Sequence, residues 1–271
     1  MNEPGRLTLD PTLTHSHVNE PWRVGNCTWP EVQTAQYTMA VLPWGATEAH
    51  NTHLPYATDT LLAESVANAA AALAWKAGAR VAVLPSIAYG VQAGQLDIPF
   101  CLNMSPSTQQ RVLRDLAESL VPHNIRALVI VNAHGGNDFK PTIRELQPST
   151  PLFLATIDWW KAGDAKKIFA EPGDHAGELE TSAMQYVAPQ LVHPLSEAGR
   201  GRARNWRFAA MQQGWAWAPR QWTRISDDTG VGNPAASTAL KGEEYVTQCA
   251  ERIGAFLVEL NAALPNDLYE P

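Results

Sequence analysis

Glu48, His50, His53 and Asp59 fall within twelve residues, on the segment Glu48-Ala49-His50-Asn51-Thr52-His53-Leu54-Pro55 and the Thr58-Asp59 that follows. Two carboxylates and two imidazoles held this close are the hard and borderline ligands that a divalent ion takes. The segment comes after an apolar run, Met39-Ala40-Val41-Leu42-Pro43, that reads as a buried strand. A further candidate, His134, stands in Asn132-Ala133-His134-Gly135-Gly136-Asn137 behind a second apolar run. A third group, His175-Ala176-Gly177-Glu178-Leu179-Glu180, reads as the start of a helix. Three ligand-bearing segments at similar points of three strand–helix units predict one metal site.

The spacing assigns a role to each residue. Glu48 and His50 are two apart, so extended chain turns them to the same side. Either alone would read as a polar loop residue; as a set with His53 and Asp59 they read as ligands. Asp59 opens an Ala-rich stretch and is expected to cap that helix while also serving as a ligand, since two oxygens can bridge two ions. His53 is expected behind the ligands rather than among them. Gly135 and Gly136 permit close backbone approach, and a helix starting at Asn137 would aim N–H groups at a developing oxyanion. His175 and Glu178 are three apart and share a helical face, with Glu180 directed elsewhere. Glu178 is therefore the expected ligand, and Glu180 a supporting group or surface charge. His175, with an ordinary pKa near neutrality, is the expected proton shuttle.

The elements that must position these residues follow from periodicity. Thr28-Trp29-Pro30-Glu31 begins a short helix with Thr28 as N-cap. Apolar runs predict strands over 37–42, 80–85, 127–131 and 152–157. Helices are expected over 59–77, 105–122 and 177–187, with a short one capped by Asn137. A last helix is expected from 235 to 264, broken near Lys241-Gly242. Near-continuous apolar strands alternating with helices imply an α/β fold with a mostly parallel sheet covered on both faces. In such sheets ligands bind beyond the carboxyl ends of the strands, where Glu48, His50 and His134 fall. Residues 1–27 read as an irregular arm and 28–271 as one domain, within which 195–232 shows no clear periodicity.

Composition narrows the function classes. A net charge of −7 argues against nucleic acid and anionic membranes as partners. No stretch approaches the roughly 20 apolar residues of a membrane span. The polar start, Met1 to Arg6, carries no signal-peptide core, and the three cysteines are odd in number and far apart. Both features are those of a cytoplasmic protein with reduced thiols. Against this acidic background, residues 197–224 hold six arginines (Arg200, Arg202, Arg204, Arg207, Arg220 and Arg224) interleaved with Trp206, Phe208, Trp215, Trp217 and Trp222. Arg and Trp are favoured interface anchors, so a subunit interface is the leading expectation for this segment. A lid over the metal site that reads an anionic substrate is a comparable one. Oligonucleotide binding by stacking and cations ranks lower.

Together these residues resemble the creatininase (creatinine amidohydrolase) family. The motifs that carry the resemblance are Leu42-Pro43-Trp44-Gly45-Ala46-Thr47-Glu48-Ala49-His50, His53-Leu54-Pro55 with Thr58-Asp59, Asn132 to Asn137, and His175 to Ser182. Thr28-Trp29-Pro30 and the stretch from Gly232-Asn233-Pro234 to Lys241-Gly242-Glu243 also look like family segments. The resemblance implies a three-layer α/β/α sandwich, a two-metal site and hydrolysis of an amide-like C–N bond. By position it implies that Glu48 and His134 hold one ion, His50 the other, Asp59 both, and that His175 is the catalytic histidine. It also implies two divalent ions, zinc first with manganese or iron as alternatives, a small-molecule substrate, and a homo-oligomer, in the family a hexamer. Two departures stand out. Creatininase has a metal-binding Glu at the position of Gly136, which here leaves Glu178 to supply the missing carboxylate and points away from creatinine as substrate. The family often has Gly where this chain has Asn51.

The expected activity is thus hydrolysis of an amide, lactam or formamide bond in a small molecule by hydroxide bridging the two ions. The same nucleophile would serve another activated carbonyl, such as a C–C bond in a cyclic ketone. A non-catalytic metal-binding protein is the reading from a different class.

Overall fold

In the computed structural model, which describes residues 20–263 together with Leu268 and Tyr269, four apolar runs pair into one parallel sheet. Residues 1–19, most of the expected N-terminal arm, and Leu264, the expected end of the last helix, lie outside the described residues. The elements in chain order are α1 (Trp29–Ala35), β1 (Met39–Trp44), α2 (Thr58–Lys76), β2 (Val81–Val83), α3 (Pro106–Leu120), β3 (Ala127–Asn132) and α4 (Phe139–Leu146). There follow β4 (Phe153–Asp158), α5 (Ala165–Ile168), α6 (Glu178–Val187), α7 (Ala209–Gln212), α8 (Trp222–Ile225) and α9 (Ala239–Ala263). The strand order is β2-β1-β3-β4, and Trp44, Asn132 and Asp158 stand side by side at the carboxyl ends.

Side-chain alternation divides the strands between two cores. Met39, Val41, Val129 and Val131 face α2, α6 and α9. Ala40, Leu42, Leu128 and Ile130 face α3 and α4. The result is the three-layer α/β/α sandwich. Leu42, Leu128 and Ile130 are fully buried, and each such side chain contributes roughly 1.5–3 kcal/mol.

Four local expectations are corrected. β1 begins at Met39 and continues through Pro43 to Trp44. Proline survives there because its missing N–H faces the β2 side, and β2 has already ended at Val83. The position before α2 is Ala57, which makes no side-chain cap bond; Asp59 lies inside the first turn with its carboxylate turned inward. The cap of α4 is Asp138, whose side chain accepts from Lys140 N–H. Asn137 is used elsewhere: its Oδ1 accepts from Val91 N–H at 3.0 Å and from Gln109 Nε2 at 2.7 Å. Finally, α9 starts at Ala239, after a separate turn over 234–236 capped by Asn233, and runs unbroken through Gly242. A Cβ at Gly242 would lie 1.9 Å from the Ser182 carbonyl oxygen, so glycine lets α6 and α9 approach there. Among the described residues no helix is long and apolar enough to cross a membrane.

Candidate metal centre

The ends of β1 and β3 and the starts of α2 and α6 deliver the parts of the site. The loop after β1 carries Glu48 and His50, and the first turn of α2 carries Asp59. His134 follows β3 by two residues, and His175 and Glu180 flank the start of α6. Glu48, His50, Asp59, His134 and His175 are all buried. Asp59 Oδ1 lies 2.9 Å from His50 Nε2, and Asp59 Oδ2 lies 3.1 Å from His134 Nδ1. Glu48 Oε1 is 2.9 Å from His134 Nδ1 and 3.7 Å from His175 Nδ1. Three overlapping sets have ligand atoms within 4.8 Å of one another: Glu48, Asp59 and His134; His50, Asp59 and Glu180; and Glu48, His50 and His175.

The outward edges of the three imidazoles explain why they face the cluster as they do. His50 Nδ1 is 3.1 Å from the Glu48 carbonyl oxygen, His134 Nε2 is 3.0 Å from that of Val91, and His175 Nε2 is 2.8 Å from that of Ala49. A carbonyl only accepts, so each of these nitrogens carries the N–H. The opposite nitrogen of every ring is then left facing the carboxylates. A backbone carbonyl behind an imidazole is the usual device for fixing the tautomer of a metal ligand.

The carboxylates are fixed in the same way. Gln95 Nε2 donates to Glu48 Oε2, and Cys101 Sγ donates to Gln95 Oε1 at 3.3 Å. Glu180 Oε2 accepts from Ala176 N–H at 2.5 Å. Ala176 has φ +50°, a left-handed conformation that costs a non-glycine residue roughly 1–2 kcal/mol. That strain sits between His175 and Glu180 and turns both inward. Gln95 was not visible as a site residue in the sequence, where it lies in a long connection without periodicity.

Burial and mutual charge set the protonation states. Burial opposes the charged form of every group here, and opposite charges mostly outweigh it. Asp59 is held well below the usual carboxylate range by His50 and His134, and Glu48 is lowered by His134 and His175. Burial alone would lower His50, but the Asp59 carboxylate and Glu48 push it up to about 10. His134 is raised well above its ordinary value by Glu48 and Asp59, again against burial. Glu180 moves the other way, up to about 7, chiefly by burial. His175 is lowered by burial and by His50, which leaves it neutral at pH 7.

The structure does not bring Glu178 into this cluster. Its carboxylate is bound by Lys241 Nζ at 2.5 Å and by Glu171 N–H at 2.9 Å, on the other side of α6. The order expected from helical spacing is reversed, because the left-handed Ala176 rotates the start of α6 and points Glu180 inward. Gly136 also has a steric reason: a Cβ there would meet the Val91 carbonyl oxygen at 2.2 Å and His134 Nε2 at 2.4 Å. No carboxylate side chain fits at that position, and Glu180 stands with His50 and Asp59 instead. Asn51 takes the left-handed conformation, φ +55°, that glycine would take. Its side chain then ties the loop to Gly199, accepting from Gly199 N–H and donating to Gly199 O. His53 stands outside the ligand sets, bonded through Nε2 to Thr181 Oγ1 at 2.9 Å, one residue from Glu180.

A cavity of about 680 Å³ opens over Glu48, Asp59, His134 and His175, with Gly135 and Gly136 on its wall. The Arg/Trp segment supplies its far side through Trp206, Trp217, Arg220 and Trp222. Trp222 meets His175 edge-on with ring centroids 5.2 Å apart.

The donor set fits a divalent ion. Ligand atoms ~2.0–2.2 Å from one ion lie roughly 3–3.5 Å from each other, and His134 Nδ1 has two carboxylate oxygens at 2.9 and 3.1 Å. Asp59 Oδ2 nevertheless has no hydrogen-bond partner. The ligand atoms of Glu48, Asp59 and His134 lie within 4.8 Å of one another, close enough to share one ion.

A buried carboxylate–imidazole cluster beyond the strand ends of a parallel α/β/α sandwich stands where such a sheet binds its ligands, and its residues could hold a metal ion. The chain belongs to the creatininase family, whose family model, creatinine amidohydrolase, matches residues 25–257. It is 28% identical over 265 residues to the mycofactocin precursor peptide peptidase of Mycolicibacterium smegmatis, an alignment covering 92% of this chain and 98% of that protein. It is similar to the crystal structure of a Bacteroides fragilis protein assigned as a creatinine amidohydrolase, with TM-score 0.86, 38% identity, and coverage of 93% of this chain and 100% of that one. Creatininase in a manganese form superposes with TM-score 0.73 at 22% identity, covering 88% of this chain and 98% of that one, which shows the shared fold. The family membership makes this chain a hydrolase.

Proposed function

We propose that the protein hydrolyses the C–N bond of a small amide, a short peptide foremost, at a site for two divalent ions. The observation that carries this reading is the set of three imidazoles, each clamped by a backbone carbonyl so that its free nitrogen faces Glu48 or Asp59. Glu48, Asp59 and His134 would hold one ion and His50, Asp59 and Glu180 the other, with Asp59 between them. Nitrogen and carboxylate donors suit zinc, with manganese or iron as alternatives. Ions held there would supply an acidified water and a Lewis acid for the carbonyl. His175 Nδ1, left free by the bond from Nε2 to Ala49 O, accepts a proton and returns it to the leaving nitrogen. Backbone N–H groups at Gly135 and Gly136, on the cavity wall, support the oxyanion. The cavity volume, about 680 Å³, favours a substrate larger than one small ring, and the resemblance to a peptide peptidase favours a peptide. Exposed Phe100, Phe208 and Trp215 favour burial against another copy of the chain, which light scattering on the purified protein would read as a mass above 29.6 kDa.

The test is a screen of chelator-stripped and metal-restored protein over short peptides, formamides, lactams and cyclic ketones. Turnover of C–N substrates that appears only on metal addition is the expected result. Full activity in the stripped protein, or turnover of cyclic ketones alone, contradicts the proposal.

A further inference from the structure

Among the described residues lining the cavity, Glu48, Asp59, Asp174 and Glu180 are acids and Arg220 is the only lysine or arginine. A single cation facing a carboxylate-rich wall marks the place where an anionic part of a substrate is tolerated. The Arg220 guanidinium carbon lies over the Trp222 ring, 4.5 Å from its centroid, and Nη1 donates to Asp174 Oδ2 at 2.6 Å. A guanidinium has five donors in a planar fork, and the pair through Nη1 to Asp174 leaves others for a further acceptor. Asp174 is 58% exposed, so this pair is weak in water and a second carboxylate can share or replace it.

The position is fixed. A Cβ at Gly94 would lie 2.0 Å from the Arg220 carbonyl oxygen, so the backbone of Arg220 is packed directly on Gly94. Trp222 Nε1 donates to Thr229 O at 2.8 Å, and Thr223 Oγ1 donates to Asp97 Oδ2. The same indole that carries the guanidinium on one contact meets the His175 ring at 5.2 Å on another. One indole therefore separates the cation from the proton-transfer residue. Two or three residues of extended peptide, at roughly 3.3–3.6 Å each, span such a gap.

We infer that Arg220 is a specificity-determining residue that takes the terminal carboxylate of a short peptide substrate, forked between its free N–H groups, on the Trp222 side of the cavity. This rests on the reading of the cluster as a site for amide hydrolysis. It adds a chemical requirement to that reading: a free acid a few residues from the scissile bond.

The experiment compares a set of acetylated tri- to pentapeptides as free acids with the same peptides as carboxamides, on metal-loaded protein. Steady-state kinetics give kcat and KM, and calorimetric titration gives Kd for peptides that are not cleaved. The free acids are expected to have KM or Kd values 10- to 100-fold lower than the amides, with kcat little changed. Arg220→Gln is expected to erase that difference, and Arg220→Lys to keep part of it. Equal handling of acids and amides by the unaltered protein, or an unaltered preference in Arg220→Gln with its metal content intact, overturns the inference. Acids bound in preference to amides but never cleaved would uphold Arg220 and reject the amide-hydrolysis reading. Binding of neither series overturns the Arg220 subsite.

Discussion

Replacing Glu180 by Gln and, separately, Glu178 by Gln distinguishes the two carboxylates that flank Leu179. Glutamine keeps the volume and one oxygen but removes a unit charge. The Glu180 oxygen lies within 4.8 Å of the ligand atoms of His50 and Asp59. A unit charge pair ~4 Å apart at an effective dielectric near 20 interacts by about 4 kcal/mol, and an ion of charge two doubles that. Burying the carboxylate takes back a large share. A remainder of about 3–4 kcal/mol corresponds to a roughly 100- to 1,000-fold weaker Kd. Glu180→Gln is therefore expected to weaken one ion by that factor and leave the Glu48–Asp59–His134 ion within about tenfold. Glu178→Gln should leave both affinities unchanged. It breaks the pair with Lys241, whose side chain is 32% exposed, so the loss is below the 3–5 kcal/mol of a fully buried pair, about 1–3 kcal/mol. That corresponds to a fall in Tm of roughly 2–10 °C. Calorimetric titration of stripped protein with zinc or manganese reads the first effect, and thermal unfolding the second. Loss of an ion in Glu178→Gln with normal loading of Glu180→Gln would refute the reasoning.

Three further outcomes follow from the same geometry. In the metal-free site His50 is protonated below about 10 and His134 is raised well above its ordinary value, whereas a metal needs both neutral. Metal affinity measured with a competing chelator is thus expected to rise with pH between 6 and 9, by on the order of ten- to a hundredfold per unit. Glu180, raised to about 7, adds to the slope only below that pH; a pH-independent affinity contradicts the assignment. Gly136→Ala forces a shift of His134 or Val91, and a loss of at least tenfold in metal affinity is expected with the fold retained by circular dichroism. Unaltered binding there would show that the close approach is not needed. Gly242→Ala drives a methyl into the Ser182 carbonyl between α6 and α9 and is expected to lower stability by about 1–3 kcal/mol in urea unfolding, against the gain an exposed helix would show for the same change.

The sheet and the segments that meet in the candidate cluster could be read in the sequence because both depend on local pattern. Apolar runs of strand length marked β1 to β4, and the residues just beyond β1 and β3 fell where a parallel sheet opens its site. The errors arose where a contact remote in sequence decided the outcome. Helical spacing from His175 favoured Glu178, but the left-handed Ala176 resets the phase of α6, and nothing in an alanine announces that conformation. Asp59 and Asn137 looked like caps by residue type, yet both are drawn into bonds across the strand ends. Gly242 looked like a helix break and is a packing contact with α6. Gln95 carried no signal, since a glutamine in an aperiodic connection acquires its role only through the approach to Glu48. The Arg/Trp segment was expected chiefly as an interface, with a cover over the site as the comparable reading. Trp206, Trp217, Arg220 and Trp222 line the cavity.

The central claim is that Asp59 lies between two ions, one held with Glu48 and His134 and the other with His50 and Glu180. Anomalous diffraction from crystals grown with manganese or zinc measures this directly. The account predicts two peaks roughly 3.5–4 Å apart, both within bonding distance of Asp59, with Glu180 on the His50 side. A single peak, or an ion bound by Glu178 and not by Glu180, would contradict it.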